Sequence, residues 1–477
     1  MKKRYIYILL AMVISVFLFL TACSPKEEFV STEGKAWDGY RDMHGQEFIF
    51  RNAIMPANPR DYTEEEAVEA KKQAATTEVP LEQEKMLEAV DLVEQKLNCK
   101  IIRKANSSGS ASEFAASFAA GQNPTDFMYG EIVFAKDLYQ AGYVVPIDDI
   151  EAIDKTDYAK WGNADRQMAT TYKGVLYGFP TIGSDYYPYA HRYYGILLMN
   201  NDAYDSFKLD TTPQEMLEDK TWTFSGFQNL LPKVYTNDST NKIWGFVHGD
   251  LPITSVYANG GDKVIKNKRG DYVFGYTQPN AIKALEWAKS IYAMTDITTQ
   301  SSDEVGLKQF YDDQIVFMTT NGYRVFGDFT YNCDNFSWMP FPYGPDAEYG
   351  KVCTSYKTYK DSITFLLKNA DPQRVQDAGY VFNELFEPTP YFGKDKYNQY
   401  LYRNYFNDGD EASFKVYLDQ ATNMRYDFSL EITDSLNTEL FSKINSALVA
   451  SGSVSNVVSS MADTINAQLD KTMNNKD

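Results

Sequence analysis

The 477-residue chain carries 46 Lys and Arg against 65 Asp and Glu, a formal charge of −19, and 44% of it is apolar. That length exceeds one ordinary core and points to two domains, while an acidic chain without a basic cluster excludes nucleic acid and charge-driven binding to anionic lipid. Aromatic residues reach 15%, with 36 tyrosines. Most must serve packing, yet the excess suits sugars and amphipathic ligands, because a flat face with a polar edge matches both surfaces of such molecules.

The chain opens on Lys2, Lys3 and Arg4, followed by an apolar run from Ile6 to Leu20 and then Leu20-Thr21-Ala22-Cys23. A basic start, a short apolar stretch and small residues make a secretory signal peptide over residues 1–22, and the run is shorter than the roughly 20 residues a membrane-spanning helix needs. The tetrapeptide resembles the bacterial lipobox, in which the cysteine is acylated and becomes the first residue of the mature protein. Cys23 is therefore the expected lipidation site, each buried CH2 of its acyl chains contributing about 0.8 kcal/mol of membrane affinity. Residues 23–44 read as anchor and polar tether. Losing the first 22 residues, with three basic groups and no acid, takes the charge from −19 to −22.

Beyond the tether, Phe48-Ile49-Phe50 predicts a first strand. Thr63 and Glu66 form a capping box that opens a helix, and Met86, Val90, Val93 and Leu97 share one face of another. A strand follows at Lys100-Ile101-Ile102, a short helix from Ala115 to Ala120, and a strand over Asp126-Phe127-Met128-Tyr129. Later helices span Ile282 to Tyr292, Gln373 to Phe386 and Met461 to Leu469. Strands alternating with helices predict an α/β fold with largely parallel sheets. Beyond Cys23 there remain Cys99, Cys333 and Cys353. Cys99 reads as a small buried group at a helix end, and a Cys333–Cys353 disulfide is left open by the sequence.

Taken in order, several segments resemble the family 1 extracellular solute-binding proteins, the maltose-binding-protein-like lipoprotein components of ABC importers. Ala120-Gly121-Gln122-Asn123-Pro124-Thr125-Asp126 resembles that family's Ala-Gly-x-x-Pro-Asp segment before an apolar strand, with Thr125 interposed. The run from Asp137-Leu138 to Val145-Pro146-Ile147-Asp148 is similar to its first-lobe ending, and Gly174-Val175-Leu176-Tyr177-Gly178-Phe179-Pro180 to its Leu-Tyr-Gly-Pro signature. Leu197-Leu198-Met199-Asn200-Asn201-Asp202, Thr221-Trp222 and the segment from Gln309-Phe310 to Asn321-Gly322-Tyr323 continue the series. Residues 51–85 and 390–430 match least. The resemblance implies a two-lobed, periplasmic-binding-protein-like (type II) fold with hinge strands between the lobes. The expected lobes are 45–185 with about 340–400, and about 190–335 with 401–477.

It also implies a cleft whose walls come from strand ends. Tyr323, after Gly322, sits where family members place a stacking aromatic; packing within its own lobe is the alternative. Gly130 and Glu131 end a strand at the expected rim, where Glu131 either accepts ligand hydroxyls or is a solvated charge. His248 and Asp250 fall where the family supplies ligand contacts, just before Tyr257-Ala258-Asn259-Gly260-Gly261. Ser184, Asp185 and Tyr186 enter at the first hinge crossing, and Trp338 lies near a second. Trp222 reads as packing at a helix start.

No catalytic signature competes with this. His44, His191 and His248 lack metal-ligand spacing, no nucleophile elbow or phosphate loop is present, and Asn407-Asp408-Gly409-Asp410-Glu411 lacks the full calcium-loop pattern. Acidic pairs are plentiful in any acidic chain and do not by themselves make a glycosidase. The expectation is a monomeric, lipid-anchored, non-enzymatic protein without cofactor or metal, on the outer face of the cell membrane. It would deliver an organic solute, a sugar or oligosaccharide, to an ABC permease. A ligand-sensing surface lipoprotein feeding a receptor and an exported glycosidase are the alternatives.

Overall fold

The computed structural model describes residues 41–52, 90–104, 110–161, 167–180, 194–238, 240–300, 303–322, 325, 333, 335–357, 362–385, 402–403, 406, 410–427, 434–450 and 452–474. The expected signal peptide, the expected Cys23 anchor and the expected Thr63–Glu66 capping box lie outside them. Among the described residues no helix is long and apolar enough to cross a membrane.

The first lobe begins with β1 (Gln46–Asn52), where Phe48 and Phe50 point inward, each such burial contributing about 1.5–3 kcal/mol. Residues 90–97 are helical, and Val90, Val93 and Leu97 are buried on one face as their spacing predicts. β2 (Cys99–Lys104) follows, then α1 (Ala111–Ala119), whose Glu113 amide donates to the Ser110 cap at 3.3 Å. β3 (Phe127–Glu131), α2 (Ile132–Gln140) and β4 (Phe179–Pro180) complete this run. Trp161 stacks between Phe179 and Phe382 at centroid distances of 4.2 and 5.6 Å.

The second lobe carries β5 (Ile196–Asn200), β6 (Asn241–Val247), α3 (Leu251–Ala258), α4 (Pro279–Tyr292), β7 (Thr298–Thr299), β8 (Ile315–Thr320), β9 (Phe336–Met339) and β10 (Tyr356–Lys357). The chain returns to the first lobe for β11 (Ser362–Leu366) and α5 (Pro372–Leu385). It ends in the second with α6 (Glu411–Thr422), β12 (Arg425–Tyr426), α7 (Asp434–Val449) and α8 (Val454–Thr472). α8 is longer than expected because Ser453 caps it and the apolar stripe starts at Val454.

The sheets run β2-β1-β3-β11-β4 and β7-β6-β8-β5-β9. β1, β2 and β3 are parallel, with β11 antiparallel to β3; β6, β7 and β8 are parallel, with β5 antiparallel between β8 and β9. The second lobe reaches further along the chain than expected. Instead of returning near residue 340, the segment after β9 packs on second-lobe elements: Trp222 Nε1 donates to the Pro340 carbonyl at 2.8 Å, and the Gly344 amide donates to Ala258 at 2.9 Å. The return falls between Lys357 and Ser362. Cys99, Cys333 and Cys353 are free thiols.

Candidate functional site: the cleft between the lobes

Strand register locates the cleft. In the first sheet, Asn52 stands beside Tyr129 and Ser362 beside Glu131, so these residues share one end. In the second, Val247 lies beside Thr299 and Met318, Thr320 beside Ile196, and Met339 beside Leu197. The chain leaves the first lobe after Pro180, which pairs with Ile363, and is next described at Tyr194, two residues before β5. It returns from Lys357 to Ser362 between the same ends. Both crossings thus join the carboxyl ends of the parallel strands of one sheet to those of the other, the location where α/β sheets bind ligands.

The crossing strands are knitted together. The Tyr194 amide donates to the Tyr356 carbonyl at 2.8 Å and the Tyr356 amide donates back at 3.1 Å. Their rings stack at 5.6 Å, and the Arg425 amide donates to Ser355 at 2.9 Å, bringing β12 alongside. Gly195 has φ +77°, and a Cβ there would fall well inside contact of the Thr354 carbonyl oxygen. Only glycine fits this joint without strain.

On the first wall, Gly130 and Glu131 end β3. Glu131 is exposed at the N-cap of α2 and makes no side-chain cap bond. On the second wall, the turn after β6 is fixed by its backbone: the His248 amide donates to Thr299 at 3.1 Å, and the Gly249 amide donates to Thr319 Oγ1 at 3.0 Å. Asp250 is exposed there, near enough to the buried Tyr356 for its charge to act on the hydroxyl. Burial first, and then the neighbouring Asp250 charge, raise the Tyr356 hydroxyl well above the usual phenol range.

Two expected ligand residues are placed elsewhere. His248 is buried with its ring 4.5 Å from Tyr292 and 5.5 Å from Phe246. Burial lowers its pKa to about 4, so it is neutral at pH 7. Trp338 is buried under α6, its ring 5.5 Å from Tyr417 and 6.1 Å from Phe406. Its place in β9 turns it away from the opposite lobe, because Phe336 and Trp338 share the α6 face with Ile196 and Leu198. Trp222 packs on Phe227 and Phe317 as expected. Tyr323, Ser184, Asp185 and Tyr186 lie outside the described residues. Asp410 caps α6, accepting from the Ser413 amide at 3.0 Å, and among the described residues no group of three His, Cys, Asp or Glu could hold a metal.

Sequence reading missed Tyr194, Tyr356 and Arg425. The available signal was Tyr194-Gly195 immediately ahead of an apolar strand; Tyr356 and Arg425 sit in two-residue strands with no periodicity to show them. A separate pocket of about 770 Å³ lies among Leu217, Tyr343, Cys353, Gln420 and Arg425. Its described lining comes from the second lobe alone.

No family model matches the sequence, and no curated protein matches it. Solved structures do. The cyclic α-maltosyl-1,6-maltose binding protein of Arthrobacter globiformis aligns over 90% of this chain and 100% of its own, with 13% identity and a TM-score of 0.60. An ABC substrate-binding protein of Listeria monocytogenes in complex with cycloalternan aligns over 89% and 99%, with 13% identity and a TM-score of 0.56. The UgpB protein of Mycobacterium tuberculosis in complex with glycerophosphocholine aligns over 82% and 96%, with 14% identity and a TM-score of 0.55. At such identities the likeness speaks to architecture, and the chain has the two-lobed α/β fold of the maltose-binding-protein-like substrate-binding proteins.

Proposed function

We propose that this chain is a lipid-anchored, extracytoplasmic solute-binding protein that captures a sugar or oligosaccharide between its lobes and delivers it to the permease of an ABC importer. The observation that carries this reading is the pair of sheets presenting their carboxyl strand ends to one another across knitted crossing strands. A ligand held there touches both walls, so occupancy is coupled to lobe closure, and a transporter can tell the loaded form from the empty one. Neighbours of the same fold bind cyclic maltosyl-maltose and cycloalternan. The glycerophosphocholine complex widens the solute class to other polar organic molecules. Glu131 supplies a hydroxyl acceptor from the first lobe and Asp250 one from the second. From the sequence, Tyr323 is the proposed stacking ring, and Ser184, Asp185 and Tyr186 are proposed as further ligand residues. We take the lobes as 45–180 with 362–385, and 194–357 with 410–474, acting in a monomer.

A thermal-shift screen of saccharides and polyols tests the reading, since a ligand at 100 times its Kd adds about 2.7 kcal/mol of stability. No shift with any of them would sink it. Saccharide consumed with turnover would instead favour the glycosidase. Binding without interaction with a permease would favour the sensor. Anchoring rests on the sequence around Cys23, and Cys23→Ala should release the protein from the membrane fraction; undiminished retention would refute the lipobox.

A further inference from the structure

We propose that the pocket beside α6 is a second binding site of this chain, one that takes a small, neutral, hydroxyl-rich molecule such as a mono- or disaccharide. It is distinct from the cleft, and it stands whether or not the cleft binds sugar.

The sequence of α6 builds one wall. Phe414 and Tyr417 pack with Phe406 and Trp338, and Ser413 Oγ accepts from the Trp338 amide at 2.9 Å. Lys415, Val416, Asp419 and Gln420 recur at helical spacing on another side, and these line the pocket. Leu217, from the helix Pro213–Glu218, and Tyr343 supply further wall. The volume of about 770 Å³ falls within the range of about 300–1,000 Å³ that small-molecule sites occupy.

Three polar groups on these walls are uncommitted. Tyr343 is 8% exposed and its backbone is fixed, the amide donating to the Trp222 carbonyl at 3.2 Å and the carbonyl accepting from the Phe224 amide at 3.0 Å. Its ring lies against Tyr349, with centroids 4.3 Å apart. A buried phenol ordinarily finds a hydrogen-bond partner, yet among the described residues this hydroxyl has none. Burial, and then the neighbouring Tyr349, Asp419 and Cys353, raise its pKa to about 12, so at neutral pH it keeps a proton to donate. Lys415 and Asp419 stand one turn apart on α6 and make no ion pair among the described residues, with each other or with any other group. The other cations of the lining are engaged: Lys351 pairs with Glu348 at 2.6 Å and Arg425 with Asp262 at 3.3 Å.

This chemistry selects the ligand. With Lys351 and Arg425 neutralised, Lys415 is balanced by Asp419, so no surplus positive charge holds a carboxylate or phosphate. Uncharged hydroxyls donate to Asp419 and accept from Tyr343 and Lys415, while Leu217 and Val416 offer apolar surface to a ring face. The described lining belongs to the second lobe alone. An occupant is therefore held without lobe closure, unlike a ligand that touches both walls of the cleft.

The test titrates glucose, maltose and sucrose into wild type, Tyr343→Phe and Asp419→Asn, and follows hydrogen exchange by mass spectrometry. At least one sugar should protect residues 340–353 and 411–423. Tyr343→Phe should raise the midpoint of that protection about five-fold, as expected for one neutral hydrogen bond, and Asp419→Asn at least ten-fold, as for a charged one. Because the phenol is unpartnered, Tyr343→Phe should leave the melting temperature of the empty protein unchanged. Protection around Glu131 and Asp250, where a sugar also fills the cleft, should keep its wild-type midpoint in both variants. No protection of 340–353 and 411–423 by any of the three sugars overturns the site, as does protection whose midpoint neither variant moves. Protection by glycine or inorganic phosphate in place of the sugars overturns the ligand class. Protection of the pocket segments alone leaves the site standing and counts against the cleft reading.

Discussion

Asp126 belongs to the Pro-Thr-Asp run that resembles a family motif, and the structure gives it a mechanical task. Its Oδ1 accepts from Arg374 Nε at 2.6 Å, and its Oδ2 accepts from Arg374 Nη2 at 2.7 Å and from the Ile49 amide at 2.7 Å. Arg374 also donates to the Glu47 carbonyl at 2.8 Å. One carboxylate thus clamps α5 to β1. The pair is unevenly buried, with Asp126 4% and Arg374 26% exposed, so the two halves should not cost the same when removed. Arg374→Met strands a buried carboxylate and should cost about 3–5 kcal/mol. Asp126→Ala leaves a guanidinium that can turn toward water, and its cost should be nearer the 1–3 kcal/mol or so of the unsatisfied Ile49 amide. Urea unfolding of the empty proteins followed by circular dichroism measures both, and hydrogen exchange should place the loss in the first lobe. Costs below about 1 kcal/mol in both variants, the range of exposed ion pairs, would refute the clamp, and the reverse order would refute the burial argument.

Gly195→Ala should strain the joint between the crossing strands, since the left-handed backbone alone costs about 1–2 kcal/mol and the Thr354 carbonyl must also move. Solution scattering should show a changed lobe arrangement, and an unaltered profile with unaltered stability would count against the joint. Replacing His248 with Phe should reduce the acid sensitivity of folding. The native pKa of about 4 lies below the ordinary 6.5, so the unfolded chain binds the extra proton and the wild type loses up to about 3 kcal/mol as pH falls from 6.5 to 4. Parallel stability curves for variant and wild type across that window would show that His248 protonates freely in the fold. Tyr323→Ala should weaken saccharide binding about thirty-fold without lowering the melting temperature of the empty protein; the opposite pattern would make Tyr323 a core residue.

The α/β character was legible because it is written in local periodicity. Val90, Val93 and Leu97 declare a helix face, and Phe48 and Phe50 a strand face, before any partner is known. The cleft was legible only as far as strand ends could be placed, which is how Glu131 and Asp250 came to be proposed. Register was not legible. Trp338 was expected near a hinge crossing, yet its side of β9 is decided by pairing with Leu198, a residue 140 positions earlier. His248 was lost for a similar reason: one position separates it from the exposed Gly249, and nothing local says that α4 would cover it with Tyr292. The joint at Tyr194, Tyr356 and Arg425 assembles from three distant segments, and two-residue strands have no period to detect. The late return to the first lobe stayed hidden because the segment from Pro340 to Tyr356 holds to the second lobe through partners far away in the chain, among them Trp287 against Phe341 and Asn259 and Lys283 against Asp346, and no local period declares them.

The stacking of Trp161 between Phe179 and Phe382 makes the two lobes optically unequal. Among the described residues, Trp161 is the first lobe's tryptophan, while Trp222, Trp244, Trp287 and Trp338 all belong to the second. Intrinsic emission therefore reads mainly the second lobe, and a quiet signal during a titration does not mean a quiet first lobe. Removing Trp37 and the four second-lobe indoles one at a time would leave Trp161 as an internal lamp for the other half, sandwiched by two rings and set to brighten or redden as that half loosens.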